Sequence, residues 1–196
     1  MVRPYPPIER RRATPRRDPA AWEEARAYLR KRGLDPELAR DHGWYAAQCR
    51  DGLRLVIPTT VPGYWQARAL AGQEPRYVSA ATERGPALVV VAPTTPIRLT
   101  CVVEGPLDAL AAAMAGALGI ATMGTAVNRE ALTALRARAV GRVVVVVDTD
   151  TAELARSVLH ALPLARLVTV YPYKDLAAVP VDVRARLLGR WLDESC

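Results

Sequence analysis

Two apolar runs that end in acid constrain this chain more than anything else in it. Leu99, Thr100, Cys101, Val102 and Val103 lead into Glu104 and Gly105, with Pro106 and Asp108 just beyond; Val143 to Val147 lead into Asp148, Thr149 and Asp150. Neither run alternates polar with apolar, so each reads as a strand buried on both faces, the kind that builds parallel sheets. A carboxylate ending such a strand is enclosed by its neighbours. In open parallel sheets, ligands bind beyond the carboxyl ends of the strands. That edge is where the chemistry is expected.

The rest of the second half supplies the sheet. Strands are predicted over 98–103, 119–123, 142–147 and 166–170, alternating with helices over 106–115, 128–140 and 151–162. Asn128 caps the middle helix, and Leu132 and Leu135 mark its inner face. This alternation predicts an α/β, Rossmann-like four-stranded parallel sheet with helices on both faces. A last helix over 181–192 has Leu187, Leu188, Trp191 and Leu192 as its apolar stripe.

The first half is organised differently. Residues 1–17 hold Pro4, Pro6, Pro7 and Pro15 among Arg3, Arg10, Arg11, Arg12, Arg16 and Arg17, which predicts a flexible arm, either a plain linker or a phosphate-tracking tail. Asp18–Pro19 and Asp35–Pro36 each pair a helix cap with a proline at the first helical position. The two helices so begun run to Gly33 and Gly43, with Trp22, Tyr28 and Trp44 as core. From residue 53 the period becomes two: Leu53, Leu55 and Ile57 alternate until Pro58, Pro62–Gly63 turns the chain, and 64–68 returns. Short strands at 77–78 and 87–92 complete a small antiparallel unit. The predicted division is an arm over 1–17, an α+β unit over 18–95, an α/β unit over 96–180 and a C-terminal helix over 181–196. Arg54, Arg68 and Arg76 fall in the α+β unit. Each alone fits a surface charge; together they fit a phosphate-facing patch.

Composition narrows the function classes. The formal net charge is +7, which favours a polyanionic partner. Nearly all the cations are Arg, Lys31 and Lys174 being the exceptions, and Phe is absent, a bias that a GC-rich genome also produces. No apolar run approaches the ~20 residues that span a bilayer, and the N-terminus has no signal-peptide core, so neither a membrane nor secretion is expected. Cys49, Cys101 and Cys196 form no CxxC pair, so neither zinc nor a disulfide framework is expected, and reduced thiols fit the cytoplasm. A GxxxxGK[ST] loop is missing, which argues against P-loop chemistry. His42 and His160 read as packing or surface residues.

The acids remain. Glu104, Asp148, Asp150, Asp175 and Asp108 can converge on one edge of the sheet. Carboxylates held that close repel unless a cation joins them. Mg2+ or Mn2+ takes such hard oxygen ligands together with phosphate oxygens. Asp108 also fits a helix-start acid and Asp150 a helix cap. Gly124–Thr125 fits a phosphate-facing loop or a tight turn.

Four segments in order, VVEGPLDAL (102–110), MGTA (123–126), VVDTD (146–150) and KD (174–175), resemble a TOPRIM domain of the kind in bacterial and phage DnaG-type primases. Upstream, YLRKRGL (28–34), RLVIP (54–58), QAR (66–68) and PRYVS (75–79) resemble the basic subdomain of the same primase core. The resemblance covers roughly residues 22–180. It implies that Glu104, Asp148 and Asp150 bind catalytic Mg2+ or Mn2+, with Asp108 and Asp175 assisting. It implies that Arg54, Arg68, Arg76, Tyr77 and Lys174 contact template and nucleotide. The implied activity is synthesis of short RNA primers on single-stranded DNA from nucleoside triphosphates. The implied partners are a replicative helicase or a separate zinc-binding protein, and the implied place is the cytoplasm, the host's if the chain is phage-encoded. Ala177 stands where the family commonly has a second acid, Ser79 stands where Asn is usual, and neither the zinc-binding nor the helicase-binding region is seen. A TOPRIM nuclease and a non-catalytic nucleic-acid-binding replication factor are the alternatives.

Overall fold

A computed structural model describes residues 14–81, 84–124, 127–147 and 152–193. Its first half builds an antiparallel sheet from Tyr45–Cys49 (β1), Gly52–Pro58 (β2), Trp65–Ala69 (β3) and Tyr77–Ser79 (β4), in that spatial order. Alternation along β2 explains how the sheet is used. Leu55 and Ile57 join the main core, where Leu29 of helix Trp22–Lys31 (α1) and Trp44 lie, whereas Val56 packs on the other face with Ala47, Trp65 and Ala67. Helix Pro36–Asp41 (α2) begins as expected, with the Asp35 carboxylate accepting from the Glu37 and Leu38 amides. Asp18 likewise accepts from the Ala20 and Ala21 amides, but α1 itself starts only at Trp22.

The second sheet has the order β5-β7-β6-β8-β9, from Val89–Val91 (β5), Leu99–Val103 (β6), Leu118–Ala121 (β7), Arg142–Val147 (β8) and Arg166–Thr169 (β9). The last four run parallel, as the sequence predicts. One expectation is corrected: the strand at 87–92 does not belong to the antiparallel unit but pairs antiparallel with β7, so the sheet has five strands. Three successive valines have no wet face to offer, and this sheet is covered on both sides. Helix Pro106–Met114 (α3) lies on one face, and Arg129–Arg138 (α4) and Ala152–Ala161 (α5) on the other. The register shows in the side chains. Cys101, Val103, Val144 and Val146 meet α3 and the first-sheet residues in one continuous core, while Val102, Val145 and Val147 meet α4 and α5. Leu188 and Trp191 of the C-terminal helix Val181–Asp193 (α6) close the first of these cores. Among the described residues, no helix is long and apolar enough to cross a membrane.

Candidate active site

The carboxyl ends of β6, β7 and β9 face the strands β3 and β4 across a cleft of about 440 Å³. One wall comes from the second sheet. Glu104 follows β6 directly, Gly105 is the extended N-cap of α3, and Asp108 sits in the first helical turn. The Asp108 Oδ1 accepts the Ala177 amide at 2.8 Å, which pins a 3-10 turn, Leu176–Ala178, against α3. A Cβ on Gly105 would come 2.7 Å from the Asp108 Oδ2 and would push that carboxylate from its place beside the 3-10 turn. Asp175 caps the same turn by accepting the Ala178 amide at 2.8 Å, and Lys174 precedes it on the cleft wall. After β7, Met123 lies in the left-handed region at φ 56° beside Gly124 at φ 130°, and both line the cleft. A non-glycine residue held there is backbone strain of the kind that clusters at functional sites.

The opposite wall is basic. Arg32, Arg68 and Arg76 face Glu104, Asp108 and Asp175 across the cleft, with Gln66 and Tyr77 beside them. Arg68 pairs in register with Tyr77 across β3 and β4, donates to its hydroxyl at 2.9 Å, and lies over its ring at 4.8 Å. On its other side Arg68 lies 5.8 Å from the Tyr28 ring, which Arg32 covers at 5.1 Å. Arg68 is only 6% exposed and its Nε has no hydrogen-bond partner among the described residues. Burial pushes the Tyr77 phenol upward, and the Arg68 guanidinium pulls the other way.

Glu104 is half-buried, and among the described residues nothing donates a hydrogen bond to it or pairs with its charge. Desolvation alone therefore holds its carboxyl above the ordinary carboxylate range. A hard cation at this carboxylate would remove that cost, so Glu104 fits a divalent metal ligand. Asp148 and Asp150 lie outside the described residues, as do Thr125 of the expected phosphate-facing loop and the arm up to residue 13.

Of the other expected site residues, Arg68, Arg76, Tyr77, Lys174, Asp108 and Asp175 are brought to the cleft with Glu104. Arg54 is not. It is fully buried on the other face of the first sheet, donating from Nε and Nη2 to the two Asp51 carboxylate oxygens at 3.1 and 2.7 Å. It also reaches the Pro75 and Ala67 carbonyls at 3.0 and 3.4 Å. It braces the loop that presents Arg76. Arg32 went unread in the sequence, although it lies four residues after Tyr28 on the same helical face. His42 proves to be a packing residue, its ring bridging the Leu38 carbonyl and the Ala92 amide.

Residues 101–175 match the Toprim-like family. The chain aligns with the DnaG primase catalytic domain bound to single-stranded DNA at a TM-score of 0.66 and 21% identity, covering 89% of this chain and 72% of that one. It has the fold of DnaG-type primase catalytic domains. A DNA primase domain from Pseudomonas aeruginosa aligns at 0.61 and 22% identity, covering 84% of this chain and 70% of that one. The primase fragment of the bacteriophage T7 primase-helicase aligns at 0.57 and 16%, covering 83% and 72%. No curated protein matches in sequence. Within the matched stretch Glu104 directly follows strand β6, Asp108 lies in the first turn of α3 and Asp175 caps the 3-10 turn, while Arg32 at the end of α1 and Arg68 and Arg76 of the first sheet form the opposite wall.

Proposed function

We propose that the chain is the catalytic core of a DNA primase that joins ribonucleotides into short RNA primers on single-stranded DNA. One observation carries the reading: the cleft sets Arg32, Arg68, Arg76 and Lys174 beside a strand-end carboxylate, Glu104, that has no partner among the described residues. A nucleoside triphosphate needs both, cations for its phosphates and acids for its metal. In this reading Glu104, with Asp148 and Asp150, holds Mg2+ or Mn2+, which supplies charge stabilisation at the transferred phosphate. Asp108 and Asp175 each commit one oxygen to an amide of the 3-10 turn and assist from the cleft wall. The basic side chains hold the triphosphate so that the primer 3′-oxygen lies in line with the α-phosphorus. That oxygen bonds to phosphorus, the bond to the β-phosphate oxygen breaks, pyrophosphate leaves, and the hydroxyl proton passes to water. Catalysis is then positioning and electrostatics. Residues 18–95 supply the template side, residues 96–180 the metal side, and the arm over 1–17 tracks DNA phosphates. A replicative helicase or a separate zinc-binding protein would complete the machine in the cytoplasm.

Incubation with single-stranded DNA, nucleoside triphosphates and Mg2+ or Mn2+ should give dinucleotides and short primers. Glu104→Gln should lower the yield by on the order of 10²-fold or more. Cleavage of labelled DNA without nucleotides would instead make the protein a nuclease. Salt-sensitive DNA binding with neither activity would make it an accessory factor.

A further inference from the structure

Beyond the Toprim-like stretch, which ends at residue 175, one buried charge does something the primase reading does not use. Arg184 of α6 is 1% exposed. Its Nε donates to the Val179 carbonyl at 2.8 Å, its Nη2 to the Ala177 carbonyl at 2.9 Å, and its Nη1 to the Gly33 carbonyl at 3.3 Å. These acceptors belong to opposite sides of the cleft. Gly33 follows Arg32 of the basic wall. Ala177 lines the acidic wall just after Lys174 and Asp175, and its amide is the one held by Asp108. Gly33 approaches α6 in the left-handed region at φ 63°, and a Cβ there would lie 3.5 Å from the Val181 Cγ2.

We propose that Arg184 is a positioning residue that fixes the two walls of the cleft relative to each other, making the C-terminal helix part of the nucleotide-binding machinery; this rests on the primase reading. The physical case is one of shape. A buried cation is costly, and an apolar side chain of similar volume often serves stability as well or better. Here burial does lower the Arg184 pKa, against the opposing fields of Asp108 and Asp175. What the guanidinium adds is a planar fork whose donors point to three separate carbonyls at once. A lysine ammonium, a single point of charge, cannot span them.

The test compares Arg184→Lys and Arg184→Met in the full chain with Arg186→Met, which removes an exposed pair with Asp182 on the same helix. Amide exchange is measured without nucleotide, and KM and kcat are measured separately in primer synthesis. In both Arg184 variants, exchange at Ala177, Ala178 and Leu34 should quicken. Because the two walls that bind the triphosphate are then no longer preorganised relative to each other, KM for nucleotide should rise at least about tenfold, with kcat within about threefold of wild type. Arg186→Met should match wild type in both. A role in folding alone would reduce the active fraction, lowering kcat and leaving KM and the exchange of the folded fraction unchanged, and that result overturns the proposal. So does failure of both Arg184 variants to fold, since Arg184 would then hold the fold rather than the cleft. If wild type makes no primers, the primase reading fails, while the exchange data still decide whether Arg184 ties the two walls.

Discussion

Arg54 and Arg68 lie on neighbouring strands of one sheet, on opposite faces, and both are almost wholly buried. Their surroundings are opposite. Arg54 has a bidentate carboxylate from Asp51 and two main-chain carbonyls. Arg68 has two aromatic rings, one phenol and an Nε with no partner, and no carboxylate pairs with it among the described residues. A buried guanidinium whose donors are all taken belongs to the architecture. One held by rings and left short of acceptors, at the wall of a cleft, is the kind the proposed function assigns to an incoming anion. The same residue type on neighbouring strands is thus given two different surroundings by what the rest of the fold brings to it.

Substitution can break this contrast. Arg54→Met should cost about 2–3 kcal/mol of stability, because the buried Ala67 carbonyl and the partly buried Pro75 carbonyl lose a donor at roughly 1 kcal/mol each and the loop before Arg76 loses its brace. Asp51 is partly exposed and turns to water, which keeps the loss below that of a fully buried pair. Chemical denaturation measures it, and a melt like wild type would remove the assignment of Arg54 to the architecture. Arg68→Met should behave in the opposite sense. It deletes an uncompensated buried charge and should leave stability within about 1 kcal/mol of wild type. Affinity for a nucleoside triphosphate, read by equilibrium titration, should fall about tenfold or more, the worth of a hydrogen bond to a charged group. Equal losses of stability in the two variants, with triphosphate affinity intact, would erase the distinction.

That distinction is not written in the sequence, and the reason is instructive. Both arginines occur in the alternating stretch over 53–68, and periodicity fixes which residues share a face but not what covers the face. Asp51, Ala67 and Pro75 surround Arg54 only because three strands and a loop fold together. The long-range acids were more legible. Glu104 ends a run with no polar residue to spare, and the parallel sheet that places it beside Lys174 and Asp175 followed from the alternation of strand and helix. The three valines of β5 carry no information about which sheet they join; its place is set by antiparallel pairing with β7. β1 carries little strand signal, because Ala46, Ala47 and Gln48 at its centre have weak strand preference, and its register is imposed by β2. Arg184 was invisible for the same reason as Arg54: on an amphipathic helix it reads as a surface charge, and only the approach of Gly33 and Ala177 shows otherwise.

The smallest expected effect sharpens the contrast from the Arg68 side. Tyr77→Phe keeps the ring under the guanidinium and removes only the hydroxyl that accepts from it, so the loss near neutral pH should be about 1 kcal/mol. Its pH dependence separates packing from hydrogen bonding. Burial is the larger influence on the Tyr77 phenol, and its folded pKa lies above the ordinary value of 10.0. Above that value the unfolded chain releases the phenolic proton while the folded chain retains it. Stability contributed by Tyr77 is therefore complete below pH 10 and declines as the pH climbs through the folded pKa. Phenylalanine has no such proton. The gap between Tyr77→Phe and wild type should be widest at neutral pH and should close in alkaline solution. A gap that widens there instead would mean the ionised phenolate is the form that Arg68 favours, and Arg68 would then already have the anion that the proposed function brings from outside.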